Sequence, residues 1–281
     1  MYSRWEAMST DGPLSPVALI TGGGTGIGAA TASVLRQAGW TVVVCGRRAS
    51  ALQAVADATG AYPIAADVTE PDGARRLVDE TVQRHGRLDG LVLNAGIVRP
   101  GAVGDLASHD WDAMVATNLT APYRLLHAAL PHLLADGGGA IVGVASISAV
   151  RASGGIAGYN ATKAGLTMLL QSVAVDYGPR GVRANVVCPG WTRTEMADEE
   201  MAALGDERGQ SAEDAYRLAT ALVPLGRPAA AEEVAAAVAH LLSPAASYIN
   251  AAVIPVDGGH SAVDVGTVGF DHRVTVSLPP V

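Results

Sequence analysis

Tyr159 and Lys163 stand four residues apart in Tyr-Asn-Ala-Thr-Lys. In a helix that spacing puts both on one face. A phenol ionises near pH 10. Acid/base work near neutrality needs that value lowered, and an adjacent ammonium lowers it by favouring the phenolate. Lys163 is the single lysine among 19 basic residues; all the others are arginine. A slim ammonium can hydrogen-bond a bound ribose, whereas Arg would place a flat fork there. Ser146 closes the apolar run GGAIVGVAS thirteen residues before Tyr159. A hydroxyl at the end of a strand can donate to a substrate oxygen as negative charge develops on it. Alone, each residue is ordinary: an exposed helix tyrosine, a turn serine. Together they fit proton exchange with a carbonyl or alcohol oxygen.

A second group could hold the partner for that chemistry. After PVALIT comes Thr21-Gly22-Gly23-Gly24-Thr25-Gly26-Ile27-Gly28. A dinucleotide site needs such a turn, so that the chain bends sharply, the backbone approaches the pyrophosphate and the next helix packs close. The N–H groups that open that helix then face the phosphates. The second apolar run ends Cys45-Gly46-Arg47-Arg48, where a carboxylate would mark a ribose 2′-hydroxyl site. Two guanidiniums there suit a 2′-phosphate instead. The sequence therefore favours NADP(H) over NAD(H).

These residues need strand ends and helix starts to hold them, and the hydrophobic pattern supplies both. Apolar, β-branched runs predict strands at 16–21, 41–46, 61–67, 88–96, 138–146, 182–190 and 251–259. Helical spacing falls at 26–38, 50–59 (with Ser50 as N-cap), 71–85 (with Pro71 in its first turn), 109–134, 157–177 and 230–242. Seven strands alternating with helices imply an α/β, doubly wound Rossmann fold, a mostly parallel sheet with helices on both faces. No linker divides residues 16–260, so they read as one dinucleotide-binding catalytic domain. Residues 1–15 read as a flexible N-terminal arm and 261–281 as a C-terminal tail. Residues 191–226, long and Met-rich, read as a substrate-binding insertion.

Composition narrows the classes. The 281 residues are 49% hydrophobic and 16% charged, enough for a sizeable core. A net charge of −8 and the absence of a dense basic run argue against nucleic acid as a partner. Cys45 and Cys188 sit in apolar runs and read as buried thiols, with no metal spacing. No leader-like segment opens the chain and no apolar stretch approaches the roughly 20 residues of a membrane span, so no membrane partner and a cytoplasmic location are expected.

The joint order of these motifs resembles the short-chain dehydrogenase/reductase family over about residues 16–260. The likeness includes Thr21 to Gly28, Asp67-Val68, Asn94-Ala95-Gly96, Asn118, Ser146, Tyr159-x-x-x-Lys163, Pro189-Gly190 and Val256-Asp257-Gly258-Gly259. The resemblance implies an NAD(P)-dependent oxidoreductase moving a hydride between a nicotinamide and a ketone or secondary alcohol. In it Tyr159 is the acid/base, Lys163 lowers its pKa and binds the nicotinamide ribose, and Ser146 polarises the substrate oxygen. Asn118 would hold a relay water. Asp67 and Val68 would meet the adenine, and Asn94, Ala95 and Gly96 would line the adenine-ribose side and support the sheet. Thr192 and Thr194 would bind the carboxamide and pyrophosphate. Leu93 and Thr192 depart from the family's usual residues. The family commonly forms homotetramers, so a tetramer or dimer is implied.

The substrate wall would draw on Val150, Arg151, Gly154, Gly155, Ile156, Trp191, Met196 and Met201, giving a mostly apolar pocket for a small-molecule substrate, a medium-sized hydrophobic ketone or secondary alcohol. Two other readings stand beside this one. A reductase of 3-oxoacyl thioesters on a carrier protein or coenzyme A would need a basic docking patch, with Arg124, Arg151 and Arg193 as candidates. A dinucleotide sensor without turnover would be expected to lack the catalytic set, all of which is present.

Overall fold

The computed structural model describes residues 15–135 and 137–271. Most of the expected N-terminal arm, and the tail beyond residue 271, lie outside them.

Strands β1 (Val17–Thr21), β2 (Thr41–Gly46), β3 (Tyr62–Ala65), β4 (Gly90–Leu93), β5 (Gly139–Val144), β6 (Val182–Pro189) and β7 (Val253–Val256) form one sheet. Its order is β3-β2-β1-β4-β5-β6-β7. Every pairing is parallel, where the sequence suggested mostly parallel. Parallel strands need crossovers that cover both faces, which is why these runs are apolar throughout. The period of two then sorts neighbours to opposite cores. Leu19, Leu91 and Ile141 pack on one side; Ile20, Val92 and Val142 pack on the other.

The first core is closed by α3 (Gly73–His85), α5 (Ala121–Ala135) and α6 (Ala157–Tyr177), through Leu77, Leu125 and Leu170. The second is closed by α1 (Gly26–Gln37), α2 (Ala49–Thr59) and α9 (Ala231–Leu242), through Leu35, Leu52 and Val238. Strand order turns back between β1 and β4, and in such sheets ligands bind in the crevice beyond the strand C-termini at that point.

Several expectations need correction. The helix expected over 109–134 is α4 (Ser108–Val115), a π-helical segment (Ala116–Thr120) and α5. Side-chain periodicity does not reveal one inserted residue, and such segments are frequent at functional sites. Ser50 lies inside α2, whose N-cap is Arg48. Helix α3 starts at Gly73, leaving Pro71 ahead of it. The insertion folds into α7 (Glu195–Arg208) and α8 (Ala212–Ala219) around their own small core of Ala197, Met201, Ala215 and Tyr216. Met201 is only 1% exposed and belongs to that core, so it does not line a pocket. Among the described residues no helix is long and apolar enough to cross a membrane.

Candidate active site

The glycine-rich turn joins β1 to α1 at the crevice. Thr25 is the N-cap of α1, its side chain makes no capping bond, and no acidic residue lies in the first turn. The N–H groups of that turn are therefore open to an anion. Gly26 adopts φ +53° there, and Gly28 leaves no room for a side chain: a Cβ would lie 2.2 Å from the Gly22 carbonyl oxygen. The turn is pinned to β4. Asn94 Nδ2 donates to the Thr21 and Gly22 carbonyls, each at 3.0 Å, and the Thr21 hydroxyl oxygen accepts from the N–H groups of Asn94 and Ala95. Asn94 is thus a staple between the two strands flanking the crevice, and Thr21 is its counterpart. A threonine closing an apolar strand carries no sequence signal for that role. The cradle fits a dinucleotide pyrophosphate through its open N–H donors and close backbone, with the one carboxylate at its edge, Glu195, paired to Arg48.

Beyond β2 and β3, Arg47, Ala66 and Asp67 line one groove. Thr69 donates both its hydroxyl and its N–H to Asp67 Oδ1, which holds that carboxyl below the usual carboxylate range, with a smaller contribution from Arg47. Val68 is buried beside it. Arg47 and Arg48 do not act alike. Arg48 leaves the groove and pairs with Glu195 at the start of α7.

The catalytic candidates converge at the end of β5. Ser146 lies two residues beyond the strand and caps a short 3₁₀ turn (Ile147–Ala149), its hydroxyl oxygen accepting from the Ser148 N–H at 3.1 Å. Its hydroxyl also sits close enough to the Tyr159 phenol to favour the ionised form. Lys163 is 4% exposed; its ammonium donates to the Val144 carbonyl at 2.9 Å and lies 5.6 Å from the Tyr159 ring centre. Gly96 makes room for it, since a Cβ there would meet Lys163 Nζ at 3.1 Å and Asn118 Oδ1 at 3.4 Å. Asn118, in the π segment, is fully buried. Its Oδ1 accepts from the Ile97 N–H, and its Nδ2 donates to the Ile97 carbonyl and to Thr162 Oγ1. The Asn118 side chain is therefore engaged as a brace between α6 and the Ala95–Ile97 segment.

Electrostatics at the site correct one expectation. Burial pushes the Tyr159 phenol up to about 12; the Ser146 hydroxyl opposes this, while Glu200 and Cys188 add to it. Burial also lowers Lys163, to about 8. Desolvation penalises whichever form is charged, so it raises an acid and lowers a base. Burial sets the direction for Tyr159, and Lys163 is not among the groups that lower it. At neutral pH the phenol keeps its proton and Lys163 is mostly an ammonium. Nothing in the sequence marks Glu200. This half-buried carboxyl on α7 is itself raised by burial.

Around the centre, Pro189 ends β6 and Gly190 packs against Asp257, where a Cβ would lie 3.0 Å from the Asp257 Cα. Thr192 is buried, with its hydroxyl donating to the Gly190 carbonyl. Thr194 is the N-cap of α7 and accepts from the Ala197 N–H. Of the substrate-wall candidates, Val150 and Met196 are exposed, and Ile156 precedes α6 as its N-cap. Trp191 packs on the small core of α7 and α8. Arg151 donates to the Val150 and Ser261 carbonyls. Arg193 pairs with Glu213 and lies over the Tyr216 ring, and Arg124 donates to the Thr69 carbonyl. Among the described residues no group of three potential metal ligands occurs.

Residues 22–261 match a protein-family model described as enoyl-(acyl carrier protein) reductase. The protein MoaE of Klebsiella aerogenes is 41% identical over 262 residues, spanning 92% of this chain and all of that one. Among solved structures, levodione reductase superposes with a TM-score of 0.86 at 34% identity, over 90% of this chain and 100% of that one. A variant of actinorhodin polyketide ketoreductase with NADPH gives a TM-score of 0.84 at 34% identity, over 89% and 98%.

The Glu200 carboxylate raises Tyr159, so Glu200→Gln should let the phenol ionise at lower pH. The rise of kcat/KM with pH in alcohol oxidation should move down on the order of half a pH unit, as for one screened charge. A pH–rate profile of the variant beside the wild type checks this; an unmoved or upward-moved profile would refute the assignment.

Proposed function

The chain belongs to the short-chain dehydrogenase/reductase family and is an oxidoreductase of the carbonyl/alcohol pair; from that premise we propose that it reduces apolar ketones with NADPH, Tyr159 delivering the proton. The observation that supports this most is the convergence of Ser146, Tyr159 and Lys163 at the end of β5, facing the cradle at α1.

When bound, the dinucleotide supplies the hydride that reduces the carbonyl carbon. The chain's own residues govern the oxygen. The Ser146 and Tyr159 hydroxyls each donate to it. As the carbon gains the hydride, negative charge grows on the oxygen, and the Tyr159 O–H bond breaks to deliver its proton there. A phenol held protonated at neutral pH suits this direction. Lys163, held by the Val144 carbonyl with its ammonium 5.6 Å from the Tyr159 ring centre, would stabilise the phenolate left behind and would hold a ribose hydroxyl of the bound dinucleotide. The reverse reaction needs the phenolate and gains from higher pH.

For the cofactor, Arg47 supports NADP(H): it lines the groove with Asp67, whereas Arg48 is engaged by Glu195. The second strand ends without a carboxylate to favour a 2′-hydroxyl. For assembly, the exposed Tyr123 on α5 and Met168 and Val175 on α6 support a homo-oligomer. Of the arginines that a carrier protein would need, Arg193 is paired with Glu213, while Arg124 and Arg151 donate only to backbone carbonyls and keep their charge. The apolar Val150, Ile156 and Met196 lead us to favour a free ketone over a tethered acyl group.

The test is nicotinamide absorbance with purified protein, NADPH or NADH, and cyclic, aryl and acyl-thioester ketones. The wild type should oxidise NADPH with a free ketone. Tyr159→Phe should lose at least about a hundredfold in kcat yet bind cofactor normally; a variant that keeps its turnover would sink the mechanism. Arg47→Ala should weaken NADPH binding about tenfold or more, the scale of a hydrogen bond between charged groups, and leave NADH binding unchanged. Equal losses for the two nucleotides would place the 2′-phosphate elsewhere.

A further inference from the structure

Strand order sets β2 and β6 on opposite sides of the crevice between β1 and β4. Arg48 follows β2 and Glu195 opens α7 after β6. Their side chains nevertheless meet. Arg48 Nη1 donates to Glu195 Oε1 at 2.6 Å and Nη2 to Oε2 at 2.5 Å, a two-pronged pair joining residues 147 apart in sequence. Arg48 Nη2 also donates to Thr25 Oγ1 at 3.3 Å, and the nearby Thr25 hydroxyl favours the charged form of Glu195. Thr25 caps the helix whose N–H groups form the pyrophosphate cradle. Next to it, a Cβ on Gly26 would lie 3.0 Å from Thr194 Cγ2, so the start of α7 already sits on the glycine-rich turn.

A dinucleotide reaching from the Arg47–Asp67 groove to Lys163 must cross the start of α1. Three side chains from three separate elements are tied together at that crossing. The pair adds little to stability, because both partners are about half exposed, at 57% and 47%. What it does is join α7, which has its own small core with α8, to the turn that holds the phosphates. We propose that Arg48 and Glu195 form a strap that closes over the bound dinucleotide at its pyrophosphate and must break before the cofactor leaves. Both are positioning residues, acting on the rate of cofactor exchange rather than on hydride or proton transfer. The inference rests on the cofactor reading given above. It assigns to Arg48 a task different from that of Arg47.

The experiment is stopped-flow displacement of bound NADPH and of bound NADH from the full chain. It compares the wild type, Glu195→Gln, Arg48→Met and the exchanged pair Arg48→Glu with Glu195→Arg. Each single variant should release both nucleotides about two- to fivefold faster, the scale of a solvent-screened ion pair. The wild-type rate should climb toward that of the variants at 1 M salt, where the screening length is about 3 Å. The exchanged pair should restore slow release, which a general loosening of the fold would not do. Unchanged rates, or an exchanged pair no slower than the single variants, would overturn the strap. An effect confined to NADPH would overturn it in favour of direct 2′-phosphate binding by Arg48. Binding of neither nucleotide to the wild type would overturn the cofactor reading, and the strap with it.

Discussion

One buried ammonium organises the site. Lys163 Nζ is held by the Val144 carbonyl at the end of β5, and the surroundings of the site are built to admit it. Gly96 keeps its path clear, Asn118 braces that segment against α6, and Thr162 Oγ1 links Asn118 to the Tyr159 carbonyl at 3.0 Å. The π segment that carries Asn118 belongs to the same arrangement. A buried charge without partners is costly, so a cation in this place is a functional commitment. It is also the one position where an arginine-rich chain keeps a lysine.

The two halves of the sheet divide the work. On the β1–β2–β3 side lie the backbone N–H groups and Arg47 that the proposed function assigns to phosphates. On the β4–β5–β6 side lie the hydroxyls and the ammonium that it assigns to the reacting oxygen. Asn94 and Thr21 stitch the halves together below the crevice, and Arg48 with Glu195 ties them above it. Burial sets the resting charge states at the centre, with Tyr159 protonated and Lys163, lowered to about 8, still mostly an ammonium at neutral pH.

Much of this is legible in sequence because its signals are local. Continuous apolar runs mark the strands, glycine clusters the turns, and a spacing of four the Tyr159–Lys163 face. What cannot be read depends on contacts distant in sequence. Nothing in Arg47-Arg48 says that one guanidinium stays in the groove and the other turns to a carboxylate 147 residues later. In sequence Glu200 is one more charge on a solvated helix, although its field reaches Tyr159. Met201 reads as a pocket wall because the insertion's own small core is invisible there. The direction of the Tyr159 shift is hidden for the same reason: a neighbouring lysine is visible in sequence and the depth of burial is not.

The most direct test of the account is Lys163→Met, with melting temperature and kcat for ketone reduction measured on the same preparation. Methionine is close to lysine in length and removes the charge, and replacing buried charged groups by apolar ones of similar size is often neutral or stabilising. The account predicts a protein that melts at or above the wild-type temperature and turns over at least about a hundredfold more slowly. A variant that keeps wild-type turnover would contradict it, because the ammonium would then be structural.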